Sequence, residues 1–104
     1  MGEITMPRIV YTVTCTLPNL TKAREWLDWL CDGHAQEVIK YGAASAEIVR
    51  YADLHYEVRY VFPDRASYDG YIRDHAPRLR AEGLKLFSPE DGFVYSRSVA
   101  EFIE

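Results

Sequence analysis

Cysteine is scarce in this chain of 104 residues, with only Cys15 and Cys31. They form no Cys-x-x-Cys pair and fall in different predicted elements, so neither a redox dithiol nor a disulfide framework is indicated. Long apolar runs are lacking too: no stretch approaches the ~20 residues that span a bilayer. The N-terminus has no charged segment followed by an apolar run, as a signal peptide would. The expectation is a cytoplasmic chain with reduced thiols. Met1 to Thr5 precede a second Met-Pro at Met6 and read as a short N-terminal extension, leaving residues 6–104 as one domain.

Positive charge is also in short supply. The formal net charge is −4 at pH 7, which disfavours nonspecific binding to nucleic acid or to an anionic membrane. The one basic stretch, from Arg73 through Arg78 and Arg80 to Lys85, is interrupted by Asp74 and Glu82. The six glycines are scattered and build no phosphate-binding loop. No nucleophile elbow is present, and neither cysteine has a predictable base beside it. His34 and Glu37 stand three apart, but two ligands are too few for a metal site. No cofactor is predicted, and nothing singles out a haem ligand.

Aromatic residues are plentiful: eight Tyr, four Phe and two Trp. They suit strands, dimer interfaces and half-wet pockets alike. Their spacing tells more. Arg8 to Thr16 alternates, with Ile9, Tyr11, Val13 and Cys15 on one side and Val10, Thr12 and Thr14 on the other, which predicts a strand. Asn19 or Thr21 then caps a helix whose face carries Leu20, Ala23, Leu27, Leu30 and His34, bordered by Trp26 and Trp29. Gly33 ends that helix or bends it before a last turn through Ile39. Tyr41-Gly42 is a turn. Ala43 to Tyr51 and Leu54 to Phe62 are strands joined by a two-residue link, hence a hairpin. Pro63-Asp64 opens a helix with Tyr68, Tyr71, Ile72 and His75 inward. Pro77 starts a further helical segment lined by Leu79, Leu84 and Phe87. Ser88 to Gly92 is a loop, and Phe93 to Val99 is a fourth strand.

The order βαββαβ makes an α+β, ferredoxin-like unit: a four-stranded antiparallel sheet with its helices on one face. The opposite face carries Thr12, Thr14, Glu47, His55, Glu57, Arg59, Ser96 and Ser98 among Val10, Val49, Val61 and Val94. Four valines are many for a wet surface, and Glu57 with Arg59 do not suit a monomer core. A homodimer through the Thr12/Glu57/Arg59 face fits both, with Glu57 and Arg59 placed to meet the other copy. A solvent-facing sheet rich in β-formers is the alternative.

With these elements the chain resembles the dimeric α/β-barrel superfamily and, more narrowly, domain-of-unknown-function family 4286. The resemblance rests on Trp26-x-x-Trp29-Leu30, His34, Gly42, the Tyr56-Glu57-Val58-Arg59-Tyr60 strand and, above all, Tyr71 to Gly83 (YIRDHAPRLRAEG), with Phe87 and Arg97 closing it. It covers Pro7 to Ile103. It implies a fold and a dimer but no activity. The wider superfamily holds cofactor-free monooxygenases, polyketide cyclases, isomerases and haem-binding enzymes, with pockets between sheet and helices.

His34 and His75 each lie near a helix C-terminus on the inner face. They are candidate catalytic residues that could line one cavity with Tyr56, Tyr60 and Trp29. Histidine needs little tuning to act as a base near neutral pH, and a tyrosine hydroxyl can hold a developing oxyanion. Arg80 or Arg97 could hold a carboxylate, so Trp29, Arg80 and Arg97 are candidate ligand-binding residues. Each histidine can equally be structural, capping loose carbonyls at its helix end. Two readings stay open. One is a protein that binds or transforms a small aromatic or polyketide-like molecule, of cofactor-free monooxygenase, cyclase or isomerase type. The other is a non-catalytic dimeric accessory or regulatory protein.

Overall fold

The computed structural model describes residues 6–104, so the expected extension at residues 1–5 lies outside the described residues. Strand β1 (Ile9–Thr16) is followed by helix α1 (Leu20–Trp29), a π-turn (Leu30–His34) and helix α2 (Ala35–Lys40). The hairpin is β2 (Ser45–Ala52) and β3 (His55–Phe62). Helices α3 (Arg65–Asp74) and α4 (Ala76–Leu86), a short 3₁₀ turn (Pro89–Asp91) and strand β4 (Val94–Glu101) complete the chain. The sheet order is β2-β3-β1-β4, antiparallel throughout. The fold is ferredoxin-like α+β, as the pattern predicts, with each crossover built from two helical pieces.

The alternation of β1 and β3 decides which face is covered. Ile9, Tyr11 and Cys15 of β1 and Tyr56, Val58, Tyr60 and Phe62 of β3 are all buried. Tyr11 lies opposite Tyr60 across the ladder, and Val13 opposite Val58, so both strands turn their apolar side to the helices. Each such side chain contributes roughly 1.5–3 kcal/mol by leaving water. Tyr68 and Tyr71 of α3 and Leu79 of α4 cover them.

Two helix faces sit at a different angle from the expectation. On α1 the buried residues are Ala23 and Trp26, continued by Leu30, while Leu20 is exposed. Trp26 therefore stands at the centre of the face, not at its border, because its ring reaches Tyr56 at 6.1 Å between centroids. On α4 the buried line is Ala76, Leu79 and Gly83, with Leu84 exposed. A glycine scores as nothing in a hydrophobic pattern, yet here it marks closest approach.

Asn19, not Thr21, caps α1: its side-chain oxygen accepts from the Lys22 N–H at 2.9 Å. Asp64 caps α3 in the same way, through the Ser67 N–H at 2.8 Å. Gly42 is needed where it stands. Its φ of +137° is a region that side chains avoid, and a Cβ there would lie 3.3 Å from the Ser67 carbonyl oxygen. On the uncovered face, the Glu57 carboxylate accepts from Arg59 Nε and from the Tyr51 hydroxyl of its own chain. Within one chain the Glu57 carboxylate therefore already has two donors. A register shift between Arg50 and Ala52 marks the bulge that carries Tyr51.

Asn19→Ala leaves a helix donor uncapped. It is expected to cost about 1 kcal/mol, which is roughly 4–8 °C in melting temperature for a domain of this size. A thermal melt of the variant that matched the parent would contradict the capping role.

Candidate functional site: an aromatic slot with two arginines

Between the covered sheet face and the helices lies a cavity of about 50 Å³, enough for a few water molecules. Tyr11, Val58 and Tyr60 form the sheet wall, Tyr71, Leu79 and Gly83 the helix wall, and Trp29 with His34 one end. Arg80 and Arg97 also border it. Of the candidates named from sequence, His34, Tyr60, Trp29, Arg80 and Arg97 come together here.

Two candidates do not. Tyr56 packs under Trp26 in the core. His75 stacks on Tyr41 at 3.8 Å, with the rings 10° from parallel. It links α3 to α4: its N–H donates to the Tyr71 carbonyl and its carbonyl accepts from Leu79. The two imidazoles therefore occupy different places under the sheet, and His75 acts as a corner.

Tyr11 was not singled out in the sequence, and it holds the centre of the site. Its hydroxyl oxygen accepts from Arg80 Nη2 at 3.0 Å and from Arg97 Nε at 3.1 Å. A phenolic oxygen has two acceptor positions, and both are filled by guanidinium donors. The Tyr11 hydroxyl proton has no acceptor among these bonds, so the group keeps a donor for a further partner. Arg80 Nε is, among the described residues, the one buried side-chain nitrogen or oxygen without a hydrogen-bond partner. A donor left that way costs about 1–3 kcal/mol.

Burial sets the electrostatics of the slot. It pushes the His34 pKa down to about 4, against the opposing pull of Glu82 and Glu37. His34 is thus a neutral ring at pH 7, and burial makes it a weaker base than the ordinary histidine the sequence suggests. Its face lies on Trp29 at 4.0 Å between centroids. Burial also raises the Tyr60 and Tyr71 phenols, helped by the neighbouring Tyr11. Cys15, with its thiol pushed up to about 12 by burial, is protonated and unreactive. Among the described residues, no three His, Cys, Asp or Glu side chains gather where they could hold a metal ion. No helix among them is long and apolar enough to cross a membrane.

Local backbone explains how His34 reaches the slot. The Ala35 N–H donates to the Leu30 carbonyl, a bond one residue longer than an α-helical one, and Gly33 departs from helical angles. The Cys31 carbonyl that this turn releases accepts from Gln36 Nε2 at 2.8 Å. Such π-turns are short irregularities in otherwise α-helical stretches and often accompany functional sites.

These features define a ferredoxin-like α+β protein with an aromatic, arginine-bearing slot under its helices. Residues 8–103 match the family described as Domain of unknown function (DUF4286), and the chain belongs to that family. Several solved structures share its fold at low identity. A dimeric ferredoxin-like protein from an uncultured marine organism superposes with a TM-score of 0.76 at 15% identity, covering 94% of this chain and 97% of that one. A monooxygenase of Streptomyces coelicolor, solved with nanaomycin D, gives 0.74 at 13% identity, covering 94% and 89%. SnoaB, a cofactor-independent oxygenase of Streptomyces nogalater, gives 0.66 at 10% identity, covering 94% and 95%. No curated protein matches the chain in sequence.

The depressed His34 makes a pH prediction. The native state favours the neutral ring, while the unfolded chain takes up its proton at about 6.5. Stability from this group is therefore complete above about pH 6.5 and falls as pH drops toward about 4, by up to about 3 kcal/mol. An NMR titration should place the His34 ring near 4, and His34→Phe should flatten that part of the stability profile. A ring midpoint at 6.5 would refute the assignment.

Proposed function

We propose that this protein binds, and acts without a cofactor on, a small aromatic molecule bearing an acidic oxygen (a phenol, enol or carboxylate) in the slot beneath the helices. The observation that carries the reading is the Tyr11 hydroxyl held between Arg80 and Arg97, with Arg80 Nε buried and unpartnered beside it. An oxygen-bearing ligand supplies the acceptor that this nitrogen lacks. The walls of Tyr11, Tyr60, Tyr71 and Trp29 match a flat ring.

Proton removal from a phenol or enol in this arrangement rests on the bound oxyanion, since the buried ring by itself is a weak base. The O–H proton passes to a nitrogen of neutral His34, and the charge left on the ligand oxygen is met by the two guanidinium groups and the Tyr11 O–H. Charge on the imidazolium is offset by the new oxyanion and by Glu37 and Glu82, which already favour it. Trp29 stacks on the His34 ring and so fixes its plane. Similar folds in the two Streptomyces oxygenases support the oxygenation variant of this reading; cyclisation or isomerisation would begin with the same proton removal.

The small volume of the slot favours a second reading, a non-catalytic accessory or regulatory protein whose slot is structural. Calorimetry with benzoate and its uncharged counterpart benzyl alcohol separates the two. Benzoate is expected to bind more tightly. Arg80→Met and Arg97→Met should each weaken it by about tenfold or more, the worth of one charge-assisted hydrogen bond. No binding of either probe, with the fold intact, favours the structural reading.

The working unit in this proposal is a homodimer packed through the uncovered sheet face. Val10, Thr12, Val49 and Val61 are half-buried there already, and the Glu57 carboxylate is paired with Arg59 and accepts from Tyr51, which leaves exposed Glu47 as the carboxylate a second copy must meet. The dimeric relative in fold supports it. Light scattering at micromolar concentration should give twice the chain mass, and Val61→Lys should halve it. A monomeric parent chain rules the dimer out.

A further inference from the structure

A second cavity, about 320 Å³ and open to solvent, lies against the first. It is bounded by the π-turn, α2 and α4, through Asp32, Gly33, Glu37 and Glu82. The two cavities share three residues, Trp29, His34 and Leu79. Leu79 is buried in the core. The stacked rings of Trp29 and His34, both half-buried, are therefore a partition one residue layer thick between slot and cleft.

The partition has a seat. A Cβ placed on Gly83 would come within 3.0 Å of Trp29 Cη2 and 3.4 Å of Cζ2. The indole lies flush on α4 because position 83 has no side chain. Its other edge meets the Phe87 ring at 5.4 Å. Trp29 is the last residue of α1, and His34 the last of the π-turn, where regular helical bonding is interrupted. Both rings hang on the segment of the crossover with the least regular backbone.

From this geometry we propose that Trp29 is the specificity-determining residue of the slot. It holds the slot at about 50 Å³, so that a single ring is the most the site can admit, and ligands enter from the cleft beside the π-turn. The proposal rests on the slot being a ligand site, as argued above. With the indole in place the slot ends at the partition. With it removed, slot and cleft become one channel long enough for a fused second ring, and Arg80 and Arg97 still hold the acidic oxygen.

The test uses two probes of equal charge and different length, benzoate and 2-naphthoate, titrated by calorimetry into the full chain. The parent should prefer benzoate. Trp29→Leu should strengthen 2-naphthoate about tenfold while moving benzoate by less than about threefold. Trp29→Phe should move 2-naphthoate the same way by less, and it decides the matter if the leucine variant melts below room temperature. Gly83→Ala, which pushes the indole off its seat, should weaken benzoate in the parent background and have no such effect beside Trp29→Leu. The partition is overturned if Trp29→Leu shifts both probes alike, or if Gly83→Ala acts equally with and without Trp29. Failure of both probes with every variant overturns instead the reading of the slot as a ligand site, and the partition with it.

Discussion

The hydroxyl of Tyr11 is the point at which the sheet, the second crossover and the edge strand are joined. Its ring lies on a central strand with Tyr60, Tyr68 and Tyr71 at 5.7–6.4 Å between centroids. An oxygen this deep would be a liability without partners. Arg80 reaches it from α4 and Arg97 from β4, so two long cationic side chains fold inward along aromatic surface to meet one neutral acceptor. Arginine suits this task because its stem packs while its planar head donates in fixed directions. The aromatic core can therefore be wet and charged at one end without a buried carboxylate to balance it.

The two faces of the sheet solve the problem of charge differently. On the covered face the arginines donate to a phenol and keep their charge, with Arg80 Nε still unpartnered. On the uncovered face Glu57 is satisfied by Arg59 and Tyr51 within the chain, with Thr14 and Val49 opposite Glu57 and Thr12 and Glu47 opposite Arg59. The first arrangement suits an oxygen arriving from outside, and the second suits a surface that gives up its water. Both follow from alternation along β1 and β3, where each residue is assigned to one face by position alone.

That alternation is why the fold was legible in the sequence. Tyr56, Val58, Tyr60 and Phe62 read as one side of a strand and prove to be one, and Asn19 and Asp64 announce their helices. The helix faces were harder. Leu20 is apolar yet points to solvent, Leu84 is partly exposed at the rim of the slot, and Gly83, with no side chain, touches an indole. His34 and His75 satisfied the same description, inner face near a helix end, and no pattern could reveal that a π-turn swings one into the slot while a corner holds the other against Tyr41. Tyr11 looked like any strand tyrosine, since its partners stand 69 and 86 residues away. Contacts at that separation are fixed by packing and leave no mark on local spacing.

The π-turn between α1 and α2 carries a consequence of its own. At Gly33 the backbone leaves helical angles altogether, so α1 and α2 are two helices meeting at a kink that the Ala35-to-Leu30 hydrogen bond spans. Beyond the kink Val38 is fully buried, and just before α2 the imidazole stacks on the tryptophan that ends α1. The break thus works as a change of direction. It lets one crossover present two faces, the first fitted to the hydrophobic core and the second to the rim of the slot.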